Sequence, residues 1–504
     1  MPNSFLQTGV TRTKYNRYNL PLITADWSRG VVRDAPRDAI PENALFDSTD
    51  FFLHEPGLLF KRGGTSNAGP ALTAAVYAAT VTFVPFPAGS QVISIGDNGH
   101  MYKVTAATTT DVSTLGAGFP PVQSPVLRTG ATSLLVIPAS NGTTAPKQYD
   151  GTTVANLGGT PPAGKYGCVY KSRMVLAGTS ANPQRIFFSP TPDITTTWDT
   201  TNSWIDADYA VTGLAALSNA IIIFSQGHVE RITGSTPPPG SDMDRQPIGS
   251  IGCSDARSIV IQDGNVIFAN PRGVYLTNCS GFASLTTDGL IESYWQSLLA
   301  TYDPASWTIA CGTFRSFLFV TIMNGSTLVD SLVCYLPRRA WARLANWKAV
   351  MYANAFATNE EMYYADRSTN RVLTTSGIFT PAAGNKNDAN GTAVSPTLQF
   401  RLTGSGPWLK HFGNARLTYD MRDAATDNPT LAVQVAANLE ATTFAAVSES
   451  PLAETTDLAR SRFTVAKQSQ AVNVKIAQTN ASSKTEIYAL EVDHRYLGVY
   501  VGGT

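Results

Sequence analysis

Histidines and carboxylates are the residues of this chain whose types suit acid–base chemistry or metal binding. The histidines are distributed one to a region, at His54, His100, His228, His411 and His494. Such spacing provides no local pair of metal ligands. No Gly-x-Ser-x-Gly elbow, phosphate-binding loop, His-Glu-x-x-His pair or dinucleotide fingerprint occurs. His228, within SQGHVER, is interpreted as a solvated residue of a hairpin turn.

The segment TPDITTTW (191–198) resembles the Asp box of sialidase propellers at Asp193, Thr197 and Trp198. It occurs once, and such boxes are folding turns rather than catalytic groups. Glycoside hydrolysis also needs two carboxyl groups held close together across the sugar. The acidic residues are too dispersed to nominate such a pair. The sequence therefore predicts a protein that is not an enzyme, with no catalytic residue, no cofactor and no metal site.

Aromatic residues interleaved with arginines mark two segments suited to partner recognition, because arginine stacks on rings and pairs with carboxylates. One is the proline-containing leader and the other is LPRRAWARL (336–344). Docking in an assembly is favoured over DNA contact because the chain as a whole is not basic. A solvated hairpin tip is the alternative for the second segment. The predicted partner-interface residues are Tyr15, Arg17, Tyr18, Trp27, Arg338, Arg339 and Trp341.

Charge is scarce and balanced in this chain. Charged residues make up 15% of it, against the roughly 25% usual for soluble domains. Lys plus Arg (37) equals Asp plus Glu (37), so no net field draws the chain to nucleic acid or membrane. The 5 cysteines are widely spaced. They are interpreted as small buried residues rather than a disulfide framework.

Hairpin signals recur along the middle of the chain. Runs of Val, Ile, Phe and Tyr are bounded by Asp-Gly, Asn-Gly or Gly-Asn, which accept the positive φ of tight turns. The units begin near residues 91, 133, 167, 220, 258, 314 and 350. Their mean spacing is close to the 40–50 residues of a four-stranded blade. The pattern predicts an all-β fold with an irregular β-propeller of six or seven blades. Two stacked β-sandwiches remain the alternative, because no strict blade signature recurs.

Composition divides the chain into four parts. Residues 1–65 are predicted to form an N-terminal extended arm with the first strands, used in docking, and residues 66–380 the propeller. Residues 381–396, rich in Gly, Asn, Ala and Pro, are predicted to be a linker. Alternating apolar and polar residues predict a C-terminal β-sandwich over 397–504. Within the propeller, 286–303 has the apolar spacing of a short amphipathic helix inserted between blades.

Three segments together resemble one known family. They are 30–66, with a Pro-Gly leading into a Lys-Arg-Gly strand, 185–234, which ends on VERITG, and 263–277, an Asp-Gly hairpin leading into RGVYLT. In pattern and order they resemble the tail hub or nozzle proteins of short-tailed bacteriophages, known also as packaged-DNA stabilisation proteins. The chain departs from that family in its length and in its C-terminal sandwich.

The resemblance implies a structural virion protein of the tail, assembled in the host bacterial cytoplasm as a homohexameric ring below the portal. That ring would retain packaged DNA and serve as the conduit for its ejection. The implied partners are the head-to-tail adaptor, tail fibre or spike proteins, tail needle or tip proteins, and double-stranded DNA in non-specific transit, with no small-molecule substrate. A neutral wall fits this role because a basic lumen would hold phosphates.

Three alternatives stay open. A connector or distal component of a long-tailed phage would share the same architecture. A receptor- or glycan-binding propeller predicts an exposed cluster of aromatic and acidic residues at one blade face. A phage-borne glycosidase predicts cleavage of capsular polysaccharide.

Overall fold

A computed structural model describes most of the chain, and within the part that it describes no helix has the length and hydropathy to cross a membrane. The described residues are 22–24, 26–55, 58–73, 76–116, 118–119, 121–129, 132–191, 194–356, 360–375, 377–379, 387–389, 392–403, 408–422, 429–437, 443–447, 449–453, 458–478 and 484–499.

Five short strands come first among the described residues. Asp50 lies between the second and third of them with a φ of 60°, a left-handed conformation that Asp tolerates better than most residues. The resulting corner carries the chain from one sheet to the sheet that faces it. The strands are β1 (Leu22–Thr24), β2 (Asp47–Thr49), β3 (Phe51–Glu55), β4 (Leu58–Lys61) and β5 (Ser66–Asn67).

Seven antiparallel four-stranded units then follow in sequence order, and we call them blades one to seven. Blade one consists of β6 (Ala78–Phe86), β7 (Gly89–Gly96), β8 (His100–Val104) and β9 (Thr109–Thr114). Blade two consists of β10 (Val126–Thr129), β11 (Thr132–Ile137), β12 (Lys147–Tyr149) and β13 (Val154–Asn156). Blade three consists of β14 (Tyr166–Tyr170), β15 (Arg173–Ala177), β16 (Arg185–Phe188) and β17 (Trp204–Asp206).

Blade four consists of β18 (Val211–Ala216), β19 (Ala220–Ser225), β20 (Val229–Thr233) and β21 (Asp244–Gly249). A 3₁₀ turn (Ala256–Ser258) leads into blade five, which consists of β22 (Val260–Gln262), β23 (Asn265–Asn270), β24 (Gly273–Thr277) and β25 (Phe282–Ser284). Two short helices follow it, α1 (Leu285–Asp288) and α2 (Glu292–Leu298). Blade six consists of β26 (Trp307–Phe314), β27 (Phe317–Asn324), β28 (Thr327–Tyr335) and β29 (Ala340–Arg343).

Blade seven shows how the ring of blades closes. Its first three strands are β30 (Ala349–Phe356), β31 (Glu360–Asp366) and β32 (Arg371–Thr374), and its fourth is β5, from before blade one. Leu373 pairs with Asn67, and the Ala68 N–H donates to the Val372 carbonyl at 3.0 Å. The propeller of seven blades is thus held shut by strand pairing between its two ends.

Tight turns explain why the predicted hairpins form. The β22–β23 turn places Asp263 at φ 50° and Gly264 at φ 75°, the two positive values that a type I′ turn requires. The β14–β15 turn uses Lys171 and Ser172 at φ 47° and 61°. Each predicted hairpin unit falls in a different blade, so the propeller prediction is confirmed.

The propeller core lies between blades rather than in one centre. Every residue of β19 is buried, because each face of the strand packs on a different neighbour. Ile221 and Ile223 contact blade three, whereas Ile222 and Phe224 contact blade five. One apolar cluster of this kind separates every pair of adjacent blades. Full burial of one such side chain stabilises by about 1.5–3 kcal/mol.

The C-terminal strands form a sandwich together with the N-terminal ones. One sheet has the order β3-β4-β39-β34-β37, with β1 also paired to β39, and the facing layer has the order β2-β33-β38-β35-β36. Alternating burial along β33 and β35 reflects one face on the shared core and one face outward. The strands are β33 (Thr397–Leu402), β34 (Trp408–Arg422), β35 (Leu431–Ala436), β36 (Ala445–Ala446), β37 (Ala459–Ser469), β38 (Val472–Gln478) and β39 (Lys484–Val499).

The single helix predicted over 286–303 is wrong in detail. The structure has α1 and α2, interrupted where Leu290 adopts a φ of 56°. A side chain at Gly289 would lie 2.3 Å from the Trp341 ring, so only glycine fits at the end of α1. The Leu290 carbonyl then accepts hydrogen bonds from the Arg33 and Asp34 N–H groups. The helical insertion is therefore reshaped by the N-terminal segment that packs on it.

Residues 381–396 were predicted to be a linker, but the described part of this segment contains buried residues. Asp388 is 7% exposed and Val394 is 1% exposed. The Asp388 N–H donates to the Thr392 carbonyl at 2.8 Å. Low apolar content at 381–396 suggested exposure, but short polar residues here are buried because they have specific partners.

The loop between β20 and β21, residues 234–243, is organised by Asp242. Its Oδ1 accepts from the Thr236 N–H at 2.6 Å and from the Ser235 N–H at 2.8 Å, and its Oδ2 accepts from the Ser235 hydroxyl at 2.9 Å. These bonds, led by that of the Thr236 N–H, lower the pKa of Asp242 from 3.8 to about 2.

We expect Asp242 to titrate near pH 2 in NMR of ¹³C-labelled aspartate, and Ser235→Ala to raise its pKa by removing one donor. Because the pKa is depressed in the folded state, the loop's contribution to stability is present above the unfolded value of 3.8 and is lost as the pH falls through about 2. Titration of Asp242 at the ordinary value would contradict this account of the loop.

Candidate functional site

The seven predicted interface residues do not form one surface. Tyr15, Arg17 and Tyr18 lie outside the described residues, so their docking role stays a prediction. Trp27 is 0% exposed, and its ring packs edge-on against Phe400 of the sandwich at 6.0 Å between centroids. A side chain enclosed in this way cannot reach a second chain, so Trp27 is a core residue and its interface assignment is wrong.

Trp341 is also a core residue, at 1% exposure. Its indole N–H donates to the Leu285 carbonyl at 3.0 Å, and its own carbonyl accepts the Val31 N–H at 2.8 Å. Gly30 pairs with it as an isolated bridge, since a side chain at Gly30 would lie 2.7 Å from the Trp341 nitrogen. The predicted interface role of Trp341 is therefore wrong for the same reason, because its ring is enclosed in the core between blades five and six and lies beside Gly289.

The two arginines differ from each other. Arg339 forms an ion pair with Asp288 at the end of α1, so its guanidinium binds within the chain. Arg338 is exposed at the end of the β28–β29 connection. Of the four described candidates, Arg338 is thus the one whose position leaves it accessible to a partner.

Trp27 and Trp341 lie near the junction between the propeller and the sandwich. Strand β29, the outermost of blade six, pairs in parallel with β2 at Arg343 and Thr49. Strand β2 pairs on its other side with β33 of the sandwich. A nine-stranded sheet therefore runs without interruption from blade six into the sandwich.

A buried arginine lies at this junction. Arg62 is 0% exposed, and its Nε donates to Asp50 at 2.7 Å. Its Nη1 donates to Asp388 at 2.7 Å and to the Gly63 carbonyl at 3.2 Å. Its Nη2 donates to Asp388 at 2.9 Å and to the Ala345 carbonyl at 3.0 Å. All five donors of the guanidinium are satisfied.

The electrostatics of this cluster favour a permanent cation. Burial disfavours the charged guanidinium, but the charges of Asp50 and Asp388 raise the pKa of Arg62 above its ordinary value. Asp50 also accepts the Ala345 N–H at 3.0 Å, and Asp388 accepts the Thr65 N–H at 3.3 Å. The cluster thus joins the sandwich, the strand leading to β5, and the connection between blades six and seven.

The centre of the propeller contains a cavity of about 420 Å³. The innermost strands of blades two to seven contribute to its wall, for example Cys168, Val260 and Tyr352. Gln123 crosses between blades, with its side-chain amide donating to the Leu214 carbonyl at 2.7 Å. This volume is of the size usual for a small-ligand pocket.

A second cavity, of about 590 Å³, opens at the end of the propeller where the middle hairpins and the interblade connections emerge. Its wall comes from hairpins β19–β20 and β23–β24 and from the connections leading to blades five and six. We call it the blade 4–5 cavity. Its polar lining residues include Gln226, His228, Ser250, Ser254, Arg272 and Tyr302.

His228 is more ordered than a solvated turn residue. Its ring stacks on Tyr209 at 4.3 Å between centroids, with 5° between the planes. The backbone N–H of His228 donates to the Ser225 hydroxyl at 3.1 Å, and this bond fixes the turn. Tyr209 is 51% exposed. The sequence analysis missed this pair, although the turn signal of SQGHVER marked where His228 would lie.

The side chains that could bind a metal or act as nucleophiles can be located among the described residues. Among the described residues, no group of three His, Cys, Asp or Glu side chains could hold a metal ion. All five cysteines are buried, and burial raises the pKa of Cys168 to about 12, which keeps it a thiol. Trp198 of the Asp-box-like segment donates to the Ile194 carbonyl at 2.9 Å as part of a turn. Asp193 lies outside the described residues.

No protein-family model matches the chain, and no curated protein matches it. Among solved structures, it is similar to BBS1N in complex with ARL6DN, at 12% identity and a TM-score of 0.40, over 62% of this chain and 96% of that one. YCF48 bound to D1 peptide matches at 11% identity and a TM-score of 0.37, over 61% and 94%. The Mitotic Checkpoint Complex matches at 9% identity and a TM-score of 0.40, over 64% and 97%. At these values the likeness has no bearing on function, and the propeller rests on the sheet order described above.

Proposed function

We propose that this protein is a structural, non-enzymatic subunit of a bacteriophage tail. In this proposal six copies form a nozzle or hub ring below the portal and its adaptor, where the ring retains packaged DNA and guides its ejection. The proposal joins the sequence resemblance of 30–66, 185–234 and 263–277 to one structural observation. That observation is the continuous sheet and buried Arg62 cluster that join propeller and sandwich.

The joint supports this role because a closed ring requires a fixed angle between the contacts of each subunit. Heterologous contacts close into a ring only if the same rotation relates each subunit to the next. A flexible hinge within the subunit would make that rotation vary from one contact to another. Here β29, β2 and β33 belong to one sheet, so the two bodies are paired by backbone hydrogen bonds. The segment resembling the family's opening, 30–66, contributes β2 to β5, which are the strands that make this joint.

DNA could pass either through the centre of one propeller or between subunits, and the size of the central cavity decides between these two paths. At about 420 Å³, the cavity cannot contain a duplex. In the proposed ring the conduit therefore lies between subunits, along the ring axis. Equal numbers of Lys plus Arg and Asp plus Glu, 37 each, fit a wall that binds phosphates weakly, because phosphate neutralisation by Lys and Arg is what gives non-specific DNA affinity.

Native mass spectrometry of the purified full chain, alone and with its adaptor, tests the proposal. We expect a species six times the mass of the 53.8 kDa chain when the adaptor is present, and six-fold rings in negative-stain images. Duplex DNA added at physiological salt should not shift the mass. A chain that stays monomeric with the adaptor, or that hydrolyses capsular polysaccharide unaided, would contradict the proposal.

A further inference from the structure

We propose that the blade 4–5 cavity binds an acidic saccharide, that is, a hydroxylated ring carrying a carboxylate or a phosphate. This inference does not rest on the proposed function. The proposal rests on the shape of the cavity, on its polar lining and on the sign of its charge.

The size of the cavity suits a small ligand. About 590 Å³ lies within the range of 300–1,000 Å³ usual for ligand pockets. Beside it, Tyr209 is half exposed and is held flat against His228. An aromatic ring fixed in this way offers an apolar face with little loss of side-chain freedom on binding. A sugar ring presents a matching apolar face together with its hydroxyl groups.

The polar lining can satisfy those hydroxyls. Ser250 and Ser254 each offer a hydroxyl that both donates and accepts, and Gln226 offers an amide. Burial, reinforced by the charge of Asp255, raises the pKa of Tyr302 to about 12. The phenol is therefore protonated at neutral pH, and its side chain interacts with that of Ser254.

The charge of the lining favours an anion. Arg272 is exposed, and no carboxylate of a described residue forms an ion pair with it. None of the residues that line the cavity is Asp or Glu. A guanidinium binds carboxylate or phosphate in a bidentate manner. Sequence reasoning expected acidic residues at a glycan-binding face, whereas the structure places a cation there, so the matching saccharide is acidic.

The nearest carboxylates are already engaged elsewhere. Asp208, beside Tyr209, pairs with Arg245 at 2.7 Å. Asp255 accepts the N–H groups of Arg257 and Ile309. Asp303, beside Tyr302, accepts from Ala305 and Ser306 within its own turn. Glu292, whose charge acts on Tyr275 together with that of Arg272, accepts hydrogen bonds from the side chains of Thr287 and Gln296.

The cavity wall is also preorganised. Asn270 Oδ1 accepts the Arg272 N–H at 2.8 Å, and its Nδ2 donates to the Gly252 carbonyl at 2.7 Å, which ties two lining loops together. The buried indole of Trp295 donates to the Asn270 carbonyl at 2.9 Å. A side chain at Gly252 would lie 2.2 Å from the Ser225 carbonyl oxygen, so these loops are in close contact. A rigid wall reduces the entropy lost on binding.

Calorimetric titration of the full chain tests the site with four probes. They are a glucuronate-containing tetrasaccharide, the same tetrasaccharide with its carboxyl groups reduced to alcohols, glucose 6-phosphate, and a tetraglutamate peptide. We expect binding of the acidic tetrasaccharide and about tenfold weaker binding of the reduced one, because one charged hydrogen-bonding partner is lost. Tighter binding of glucose 6-phosphate would assign the anion as a phosphate on the same kind of ligand.

Variants locate the binding. Arg272→Gln should weaken the acidic tetrasaccharide about tenfold or more and leave the reduced form unchanged, and Tyr209→Ala should weaken both. Arg338→Gln, another exposed arginine, is the matched control and should change neither. Thermal unfolding confirms that each variant is folded. Equal binding of both tetrasaccharides, no effect of Arg272→Gln, or preference for tetraglutamate would overturn the proposal.

Discussion

Replacing Arg62 by methionine is expected to lower the free energy of unfolding by about 3–5 kcal/mol, the cost of breaking a buried ion pair by removing one partner. Asp50 and Asp388 would then remain buried without their common cation, and the carbonyls of Gly63 and Ala345 would lose their donors. Urea unfolding of the full chain, followed by tryptophan fluorescence, measures the change through the shift in midpoint.

Arg367→Met is the matched control. Arg367 pairs with Asp97 at 3.4 Å, but both side chains are partly exposed, so the pair contributes at most about 1 kcal/mol. Arg62→Lys should fall between wild type and Arg62→Met, because lysine keeps the charge but cannot supply five donors in a planar fork. An Arg62→Met protein within 1 kcal/mol of wild type would show that the cluster does not stabilise the joint.

Replacing Trp341 by alanine is expected to cost about 3–5 kcal/mol, the usual range for removing a buried tryptophan. The indole fills space beside Gly289 and donates to the Leu285 carbonyl, so the variant gains a cavity and an unpaired carbonyl. Since the ring is covered by its own chain, the loss should appear in the unassembled protein.

Arg338→Ala serves as the neighbouring control for Trp341. Its side chain is exposed, and surface substitutions usually change stability by less than about 0.5 kcal/mol. If Trp341→Ala unfolds at the same urea concentration as wild type yet fails to assemble, the residue acts at an interface after all, and the packing described here is incorrect.

Local patterns were sufficient to predict the blades. Turn dipeptides such as Asp263–Gly264 act within a few residues, so they can be recognised in sequence without knowledge of the partner strand. The same holds for the alternation of apolar and polar residues along β35, from which its buried face can be predicted directly. Seven hairpin starts therefore indicated six or seven blades, although the blades share no fixed sequence motif.

Pairings between distant segments could not be predicted. Arg62 and Asp388 are 326 residues apart, and β5 comprises only Ser66–Asn67, too short to carry a strand signal of its own. Strand propensity indicates that a segment will be extended, but it does not identify the strand with which that segment pairs. Residues 1–65 were for that reason assigned to a docking arm with the first strands, and their place in the sandwich, through β2, β3 and β4, was not predicted.

The tryptophans illustrate a second limit. Aromatic residues beside arginines are enriched both at interfaces and around buried junctions, and the sequence pattern is the same in both cases. For Trp341 the outcome depends in part on Gly30, whose lack of a side chain allows the N-terminal segment to pair with the backbone of Trp341. That contact joins residues more than three hundred positions apart, so no local signal distinguishes burial from exposure.

The shared sandwich has a consequence for synthesis. Strands β2 and β4 are made early by the ribosome but pair with β33 and β39, which are made late. Because these partners are so far apart in the chain, the closing step is slow and comes after translation ends. A chain that ended before β33 could complete its blades, yet β2 and β4 would lack their partner strands in the sandwich.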